Sequence, residues 1–133
     1  MVTLRDVTET RRLSERLERL ALADDLTGLA NRRAFETWLD TRLQSLAQGD
    51  VALRGFSVVF IDLDDFKIVN DTAGHAAGDV LLRELGHVIR YHVRPDDLLA
   101  RLGGDEFALL LMDCTVDHAE RVCQKIIDAI RGQ

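Results

Sequence analysis

The chain has 133 residues, 47% of them hydrophobic, which suits one globular domain with a sizeable core and leaves little room for a second. A formal net charge of −6 argues against a basic nucleic-acid-binding surface but leaves open a phosphate ligand bound through metal ions. Cys114 and Cys123 are too sparse for a disulfide scaffold, and the apolar runs are too short to span a bilayer, so we expect a cytoplasmic protein with reduced thiols and no direct membrane contact.

Residues 1–24 are predicted to form a helical connector. Leu13, Leu17 and Leu20 are spaced by four and three residues, which places them on one stripe of a helix. This stripe suits a short coiled coil, and it equally suits a helix that packs on its own domain. The pattern alone does not separate the two interpretations.

A helix and a strand follow along the chain. Asn31 is a favourable N-cap residue, and apolar residues recur at helical spacing after it, so we predict a helix over residues 32–47. The run Phe56–Ile61 is β-branched and aromatic with almost no polar interruption, which predicts a central strand covered on both faces.

Three carboxylates, Asp62, Asp64 and Asp65, follow this strand within four residues. Side chains gathered this closely repel one another, and metal binding would relieve that repulsion. The alternative is an acidic loop that caps the next helix. Backbone N–H groups near Asp65 and Phe66, at the start of that helix, would suit phosphate groups.

The second half of the chain predicts a helix, a hairpin and a final helix. The first helix begins after Gly78, with Asp79 at its start, and closes before Pro95. Residues 98–102 and 107–112 predict two strands joined by a Gly103-Gly104 turn whose loop carries Asp105 and Glu106, and a last helix runs to about residue 130.

If this hairpin lies beside the strand at 56–61, the acidic ends of the strands converge. Carboxylate ligands from two loops suit Mg²⁺ or Mn²⁺, which serve phosphoryl and nucleotidyl transfer. Lys67 could then neutralise a phosphate, and Asn70 and Asp79 offer an amide and a carboxylate to a guanine edge, although each is individually an ordinary surface residue.

Four ordered blocks of the sequence resemble the GGDEF family of diguanylate cyclases. They are Asp25–Arg33, Phe60–Asp71, Gly74–Asp79 and Arg101–Phe107. The resemblance implies an α+β fold related to the ferredoxin-like nucleotide cyclase palm, with a central, mostly antiparallel sheet flanked by helices. It also implies that two GTP molecules are condensed into cyclic di-GMP, with release of pyrophosphate, by a homodimer.

The resemblance assigns roles to individual residues. For a site holding Mg²⁺ or Mn²⁺ it implies Asp62, the carbonyl of Leu63, Asp105 and Glu106 as ligands. For catalysis it implies Glu106, Asp105 and Lys67. For GTP binding it implies Asn70, Asp79, Asp65, Phe66, Lys67, Gly103 and Gly104.

Arg94 and Asp97 match the Arg-x-x-Asp motif at which cyclic di-GMP inhibits such enzymes. The alternative is a charged turn after a helix, broken by Pro95. At the level of the whole domain, the alternative function is a catalytically inactive GTP or cyclic di-GMP binding module that acts as a signalling receptor. A purely structural, dimerising role would rest on the N-terminal helix alone.

The resemblance also sets domain boundaries. Residues 1–24 are expected to be a signalling linker, and residues 1–9 resemble the closing segment of a PAS domain, which implies a sensor domain upstream. Residues 25–133 are expected to be the GGDEF domain. It is expected to be incomplete at its C-terminus, because family members continue beyond the last helix into another strand region and a final helix.

Overall fold

The computed structural model describes residues 4–49 and 55–132, which form five helices and one three-stranded antiparallel sheet. The expected α+β class is confirmed. The elements are α1 Leu4–Leu22, α2 Arg32–Ala47, β1 Phe56–Asp62, α3 Phe66–Ala73, α4 His75–Tyr91, β2 Leu98–Gly103, β3 Glu106–Met112 and α5 Val116–Arg131.

Strand β3 lies at the centre of the sheet, in the order β1-β3-β2. Its residues Phe107–Leu111 are all buried, whereas β1 is only partly covered and Phe60 is 68% exposed. The prediction that Phe56–Ile61 is the central strand is therefore wrong for the described residues. An apolar run predicts burial, but pairing with a distant strand decides which strand is central.

The two faces of β3 supply two separate cores. Phe107, Leu109 and Leu111 point to one face and pack with residues of α4 and α5. Ala108 and Leu110 point to the other face and pack with Phe35 of α2. Since successive side chains of a strand alternate between faces, this one apolar strand holds the three layers together.

The boundaries of α2 agree with the sequence prediction. The Asn31 side chain accepts a hydrogen bond from the N–H of Ala34 at 3.0 Å, which caps the helix. The amide nitrogen of Asn31 also donates to the carbonyl of Ala21 at 2.8 Å. One side chain thus starts α2 and ties it to the end of α1.

Helix α4 begins one turn earlier than its sequence predicts. It starts at His75, directly after Gly74, and Gly78 lies buried inside it. The prediction that Asp79 stands at the helix start is therefore wrong. A glycine is tolerated inside a helix when packing compensates for its low helix propensity, so Gly78 did not mark the boundary.

Two leucines of the apolar stripe on helix α1, Leu13 and Leu17, do not pack on the rest of the domain. Leu13 is 58% exposed and Leu17 is 66% exposed. The side chain of Leu20 lies outside the part of the chain that is described. Of the two interpretations of this helix, packing on its own domain is contradicted for Leu13 and Leu17. No helix in the described ranges is long and apolar enough to cross a membrane.

Candidate functional site

The predicted convergence of acidic strand ends is present. In the ladder between β1 and β3, Asp62 pairs with Glu106. Asp105 lies in the turn directly before Glu106, and its carbonyl accepts a hydrogen bond from the N–H of Leu63 at 3.4 Å. Two strands far apart in sequence pair here. Their pairing brings together, at one end of the sheet, Asp62, Leu63, Asp105 and Glu106.

These carboxylates repel one another. The pKa of Asp62 lies above its usual value, and the largest cause is the negative charge of Asp105. Desolvation, a hydrogen bond with Asp105 and the charges of Glu106 and Asp64 raise this pKa further. These mutually repelling charges at the exposed end of the sheet lower the free energy of unfolding at neutral pH. Such a cost is relieved when a cation binds between the groups.

Glu106 forms an ion pair with a basic side chain of the same chain. Its carboxylate lies 3.7 Å from the guanidinium of Arg32 at the start of α2, and both side chains are more than half exposed. Within residues 4–49 and 55–132, no three acidic, histidine or cysteine side chains are grouped closely enough to enclose an ion. Mg²⁺ usually needs only one or two carboxylates, with water and substrate phosphates completing its shell, so the Asp62–Asp105 pair fits that ion.

The turn between β2 and β3 requires its glycines. Gly103 has φ +145° and Gly104 has φ +47°, values that residues with a Cβ rarely adopt. A Cβ at either position would meet nothing within 4 Å. The turn therefore presents bare backbone and open space beside Asp105, which would let a ligand approach closely.

Arg101 holds this turn in place. Its Nε and one terminal nitrogen donate to the carbonyl of Gly104 at 3.0 and 2.9 Å, and its other terminal nitrogen contacts Asp24 Oδ1 at 2.9 Å. Both side chains of the ion pair are about 15% exposed. Sequence reasoning assigned Arg101 no role. The available signal was a lone cation at the end of an apolar strand, next to the glycines.

Asp24 is built into the loop before α2. It accepts hydrogen bonds from the backbone N–H of Thr27 at 2.9 Å and from its hydroxyl at 2.7 Å. Burial alone would raise the pKa of Asp24, but the hydrogen bonds of Thr27 and the charge of Arg101 outweigh it and lower that pKa. The carboxylate is therefore stabilised in its charged form.

This lowered pKa makes part of the stability depend on pH. A group whose pKa is lowered on folding stabilises the protein above its unfolded pKa and loses that contribution as the pH falls through the folded value. We expect Asp24→Asn to reduce the free energy of unfolding by about 1–2 kcal/mol at pH 7, a difference that shrinks below about pH 3.9. Urea denaturation at several pH values measures it. Asp25→Asn, at an exposed neighbour, is the matched control, and a pH-independent difference would contradict the interpretation.

The start of α3 leaves backbone N–H groups without a side-chain cap. Its N-cap residue, Asp65, has the left-handed φ of +63°, and its carboxylate makes no capping hydrogen bond. Non-glycine residues adopt this conformation at a cost and are often found at functional sites. Lys67 is exposed and makes no ion pair with any described residue. Both features suit the predicted phosphate site.

Asn70 and Asp79 are brought to neighbouring positions on two packed helices. Asn70 lies near the end of α3, and Asp79 lies in the second turn of α4. The Asn70 side chain fills the space beside Gly78, where a Cβ would come within 1.9 Å of its Oδ1. The structure therefore places Asn70 against Gly78, the residue directly before Asp79 in α4.

Arg94 and Asp97 lie together, at the opposite end of the sheet from the carboxylates. Strand β2 separates them from the glycine turn by about 20 Å at the usual rise per residue. Asp97 is buried and accepts hydrogen bonds from the backbone N–H groups of Arg94 and Met112, both at 3.0 Å. Arg94 is half-exposed, pairs with Asp97 at 3.4 Å and also contacts the Met112 carbonyl.

A cavity of about 670 Å³ adjoins this turn. Its lining includes Trp38, Arg42, Arg90 and Asp97. The guanidinium of Arg42 lies 5.4 Å from the Trp38 ring centre, and its buried Nε has no hydrogen-bond partner among the described residues. The cavity has a size typical of ligand sites.

Comparisons with a family model, with curated proteins and with solved structures agree on one family. A family model described as "Diguanylate cyclase, GGDEF domain" matches residues 21–133. The chain is 48% identical over 130 residues to the probable diguanylate cyclase DgcE of Escherichia coli, covering 98% of this chain and 12% of that protein. It is 38% identical over 133 residues to the cyclic di-GMP phosphodiesterase PdeB of Shewanella oneidensis, covering all of this chain and 15% of that protein.

Solved structures share the fold. The coiled coil and GGDEF domain of DgcB from Caulobacter crescentus, in complex with c-di-GMP, aligns with a TM-score of 0.83 at 32% identity. The alignment covers 91% of this chain and 62% of that one. The chain thus spans less than a sixth of the two curated relatives and about three-fifths of this structural neighbour.

Proposed function

This chain belongs to the GGDEF domain family, and from that premise we propose that it acts as a diguanylate cyclase, condensing two GTP molecules into cyclic di-GMP. In each half of the reaction a 3′-hydroxyl loses its proton and bonds to the α-phosphorus of the other GTP, while the bond to pyrophosphate breaks. The observation that carries the proposal is the pairing of Asp62 with Glu106, which places Asp105 close enough to raise the pKa of Asp62.

The metal would be Mg²⁺ or Mn²⁺, held between Asp62 and Asp105, with the Leu63 carbonyl and Glu106 as the further ligands that the resemblance to the family implies. Bound there, it would lower the pKa of the attacking hydroxyl and neutralise charge on the phosphoryl oxygens. The chain's own residues would position the substrate. The uncapped start of α3 at Asp65 and Phe66 would bind phosphate groups, Lys67 would neutralise them, and the glycine turn would leave room for the nucleotide.

Asn70 and Asp79 would select guanine. The guanine edge presents a carbonyl acceptor together with N–H donors, and an amide can serve the former while a carboxylate accepts from the latter. Adenine carries the reverse pattern at the same edge. A site built on hydrogen bonds to one edge discriminates strongly, because the wrong base leaves polar groups unpaired.

The test of this assignment is equilibrium binding in the presence of Mg²⁺, with α,β-methylene analogues, which do not release pyrophosphate, used in place of GTP and ATP. We expect GTP to bind at least about 10²-fold more tightly than ATP, with Asn70→Ala removing most of that preference. Isothermal titration calorimetry measures both affinities. Equal affinities for GTP and ATP in the unaltered chain would contradict the guanine assignment.

Catalysis requires two copies of the chain, and α1 is the proposed dimerisation element. The exposed Leu13 and Leu17 form an apolar stripe suited to a second copy of the same helix. Residues 1–24 would then also serve as the signalling linker from an upstream sensor domain. Given that GTP is the substrate, we propose that the domain acts in the cytoplasm.

Replacing both Leu13 and Leu17 with Glu is expected to shift the chain from dimer to monomer, because the charges cannot be buried in a helix–helix seam. Analytical ultracentrifugation across a concentration series measures the change. Exchange of the exposed Arg11 and Arg12 for Lys, on the same helix, is the control. An unchanged dimer in the Glu variant would contradict the role of α1.

Product would bind at Arg94 and Asp97 and inhibit the enzyme. Arg94 is half-exposed and can reach a phosphate, and the neighbouring cavity offers the Trp38 ring for stacking. Since this site lies about 20 Å from the carboxylates, inhibition would act through the relative placement of two copies.

The second candidate function is a catalytically inactive module that binds GTP or cyclic di-GMP. It is favoured by the ion pair between Glu106 and Arg32, which engages one proposed metal ligand. The two candidates differ in a simple way. A receptor would bind GTP with guanine selectivity and form no product, whereas a cyclase would do both.

A further inference from the structure

Gly78 occupies the interior of α4, where glycine is unfavourable. Glycine in a helix is less stable than alanine because it loses more backbone freedom on folding. The backbone of Gly78 does not require glycine, since its φ is not positive. Its missing Cβ must therefore serve the packing between α4 and α3.

The space that a Cβ would fill is already occupied. An ideal Cβ on Gly78 would lie 1.9 Å from Asn70 Oδ1, 3.0 Å from Asn70 Cγ and 3.3 Å from Cζ of Phe66. Contacts below 3.0 Å are essentially never seen, so an alanine would force Oδ1 to move by about 1 Å. The Phe66 ring needs to move by only a few tenths of an ångström.

Packing alone directs the Asn70 amide. Its side chain makes no hydrogen bond to any described residue, and it lies one helical turn after Phe66 on the same face of α3. We propose that Gly78 is a positioning residue that sets the direction of the Asn70 amide and thereby the affinity and base selectivity for GTP. This inference rests on the proposed guanine-reading role of Asn70.

The test is Gly78→Ala, compared with Gly86→Ala in the same helix. At Gly86 a Cβ would meet only Leu29, at 3.3 Å, outside the proposed site. We expect Gly78→Ala to weaken GTP binding by about 10–10²-fold and to reduce the preference over ATP, because a displaced amide leaves a polar group of the base without its hydrogen bond. Gly86→Ala should leave both unchanged. Equal losses in both variants would indicate a structural role and overturn the proposal.

A double-mutant cycle tests whether Gly78 acts through Asn70. If it does, Asn70→Ala and Asn70→Ala/Gly78→Ala should bind GTP equally, because the clash disappears with the amide. Independent, additive losses would contradict the proposal. Should Gly78→Ala alone fail to fold, recovery of folding in the double variant would support the clash, and failure of both would contradict it.

A readout that does not involve nucleotide separates this inference from the proposed function. The side-chain amide resonances of Asn70 in a ¹⁵N–¹H spectrum should shift in Gly78→Ala and stay in place in Gly86→Ala. If the unaltered chain does not bind GTP, the proposed function fails, and the spectra still report on positioning. Unmoved Asn70 resonances in Gly78→Ala would overturn the inference by themselves.

Discussion

Asp105→Asn is expected to reduce cyclic di-GMP formation by about 10²–10³-fold, the loss that follows removal of a single electrostatic group from other active sites. Asp105 has the largest influence on the pKa of Asp62, and we propose that the two carboxylates bind a cation together. Asparagine keeps the shape of the side chain and removes its charge. The rate of pyrophosphate release at saturating GTP measures the effect.

The same variant is expected to lose activity without losing stability. A carboxyl group whose pKa is raised on folding stabilises the protein most at low pH and loses that contribution as the pH rises through the folded value. At neutral pH the metal-free Asp105→Asn chain should therefore melt at the same temperature or higher, and added Mg²⁺ should no longer raise that temperature. Asp71→Asn, at an exposed position on α3, is the control. Full activity in Asp105→Asn, or Mg²⁺ stabilisation equal to that of the unaltered chain, would contradict the metal site.

Asp97→Ala is expected to reduce the free energy of unfolding by about 2–4 kcal/mol, because it leaves two partly buried backbone donors without partners and a guanidinium without its counter-charge. Those donors are the N–H groups of Arg94 and Met112, which join the turn before β2 to the end of β3. Urea denaturation measures the loss. The aspartate of the Arg-x-x-Asp motif is therefore expected to stabilise the fold.

The arginine of the motif should behave differently. Arg94→Ala leaves both backbone hydrogen bonds of Asp97 intact and removes a half-exposed side chain, so we expect a loss of about 1 kcal/mol or less. Binding of cyclic di-GMP should nevertheless be lost, since Arg94 is the proposed phosphate contact. Equal destabilisation by the two variants would contradict this division of roles, and unchanged product affinity in Arg94→Ala would remove the inhibitory site.

Local signals in the sequence predicted local structure well. Asn31 marks the start of α2 because its side chain caps the helix, and Gly103-Gly104 marks the hairpin because the turn needs backbone conformations that other residues avoid. The acidic residues after Ile61 also predicted the convergence of carboxylates at the candidate site, because like charges this close repel one another unless something offsets the repulsion.

Features that depend on distant pairing could not be predicted from such signals. The position of β3 between β1 and β2 follows from strand register, and an apolar run at Phe56–Ile61 looks the same at the edge of a sheet as at its centre. The contact between Arg101 and Asp24 joins residues 77 positions apart. The predicted start of α4 was wrong because glycine usually breaks helices. Here Gly78 lies inside the helix, and its missing Cβ accommodates Asn70.

The proposed cyclase activity is tested by incubating the chain with GTP and Mg²⁺ and identifying the nucleotide products by chromatography and mass spectrometry, with pyrophosphate measured in parallel. We expect cyclic di-GMP and two pyrophosphates for each molecule of it, with both signals lost on metal chelation and in Asp105→Asn. A chain that binds GTP with Mg²⁺, forms dimers and still releases no cyclic di-GMP would contradict the cyclase and identify a receptor instead.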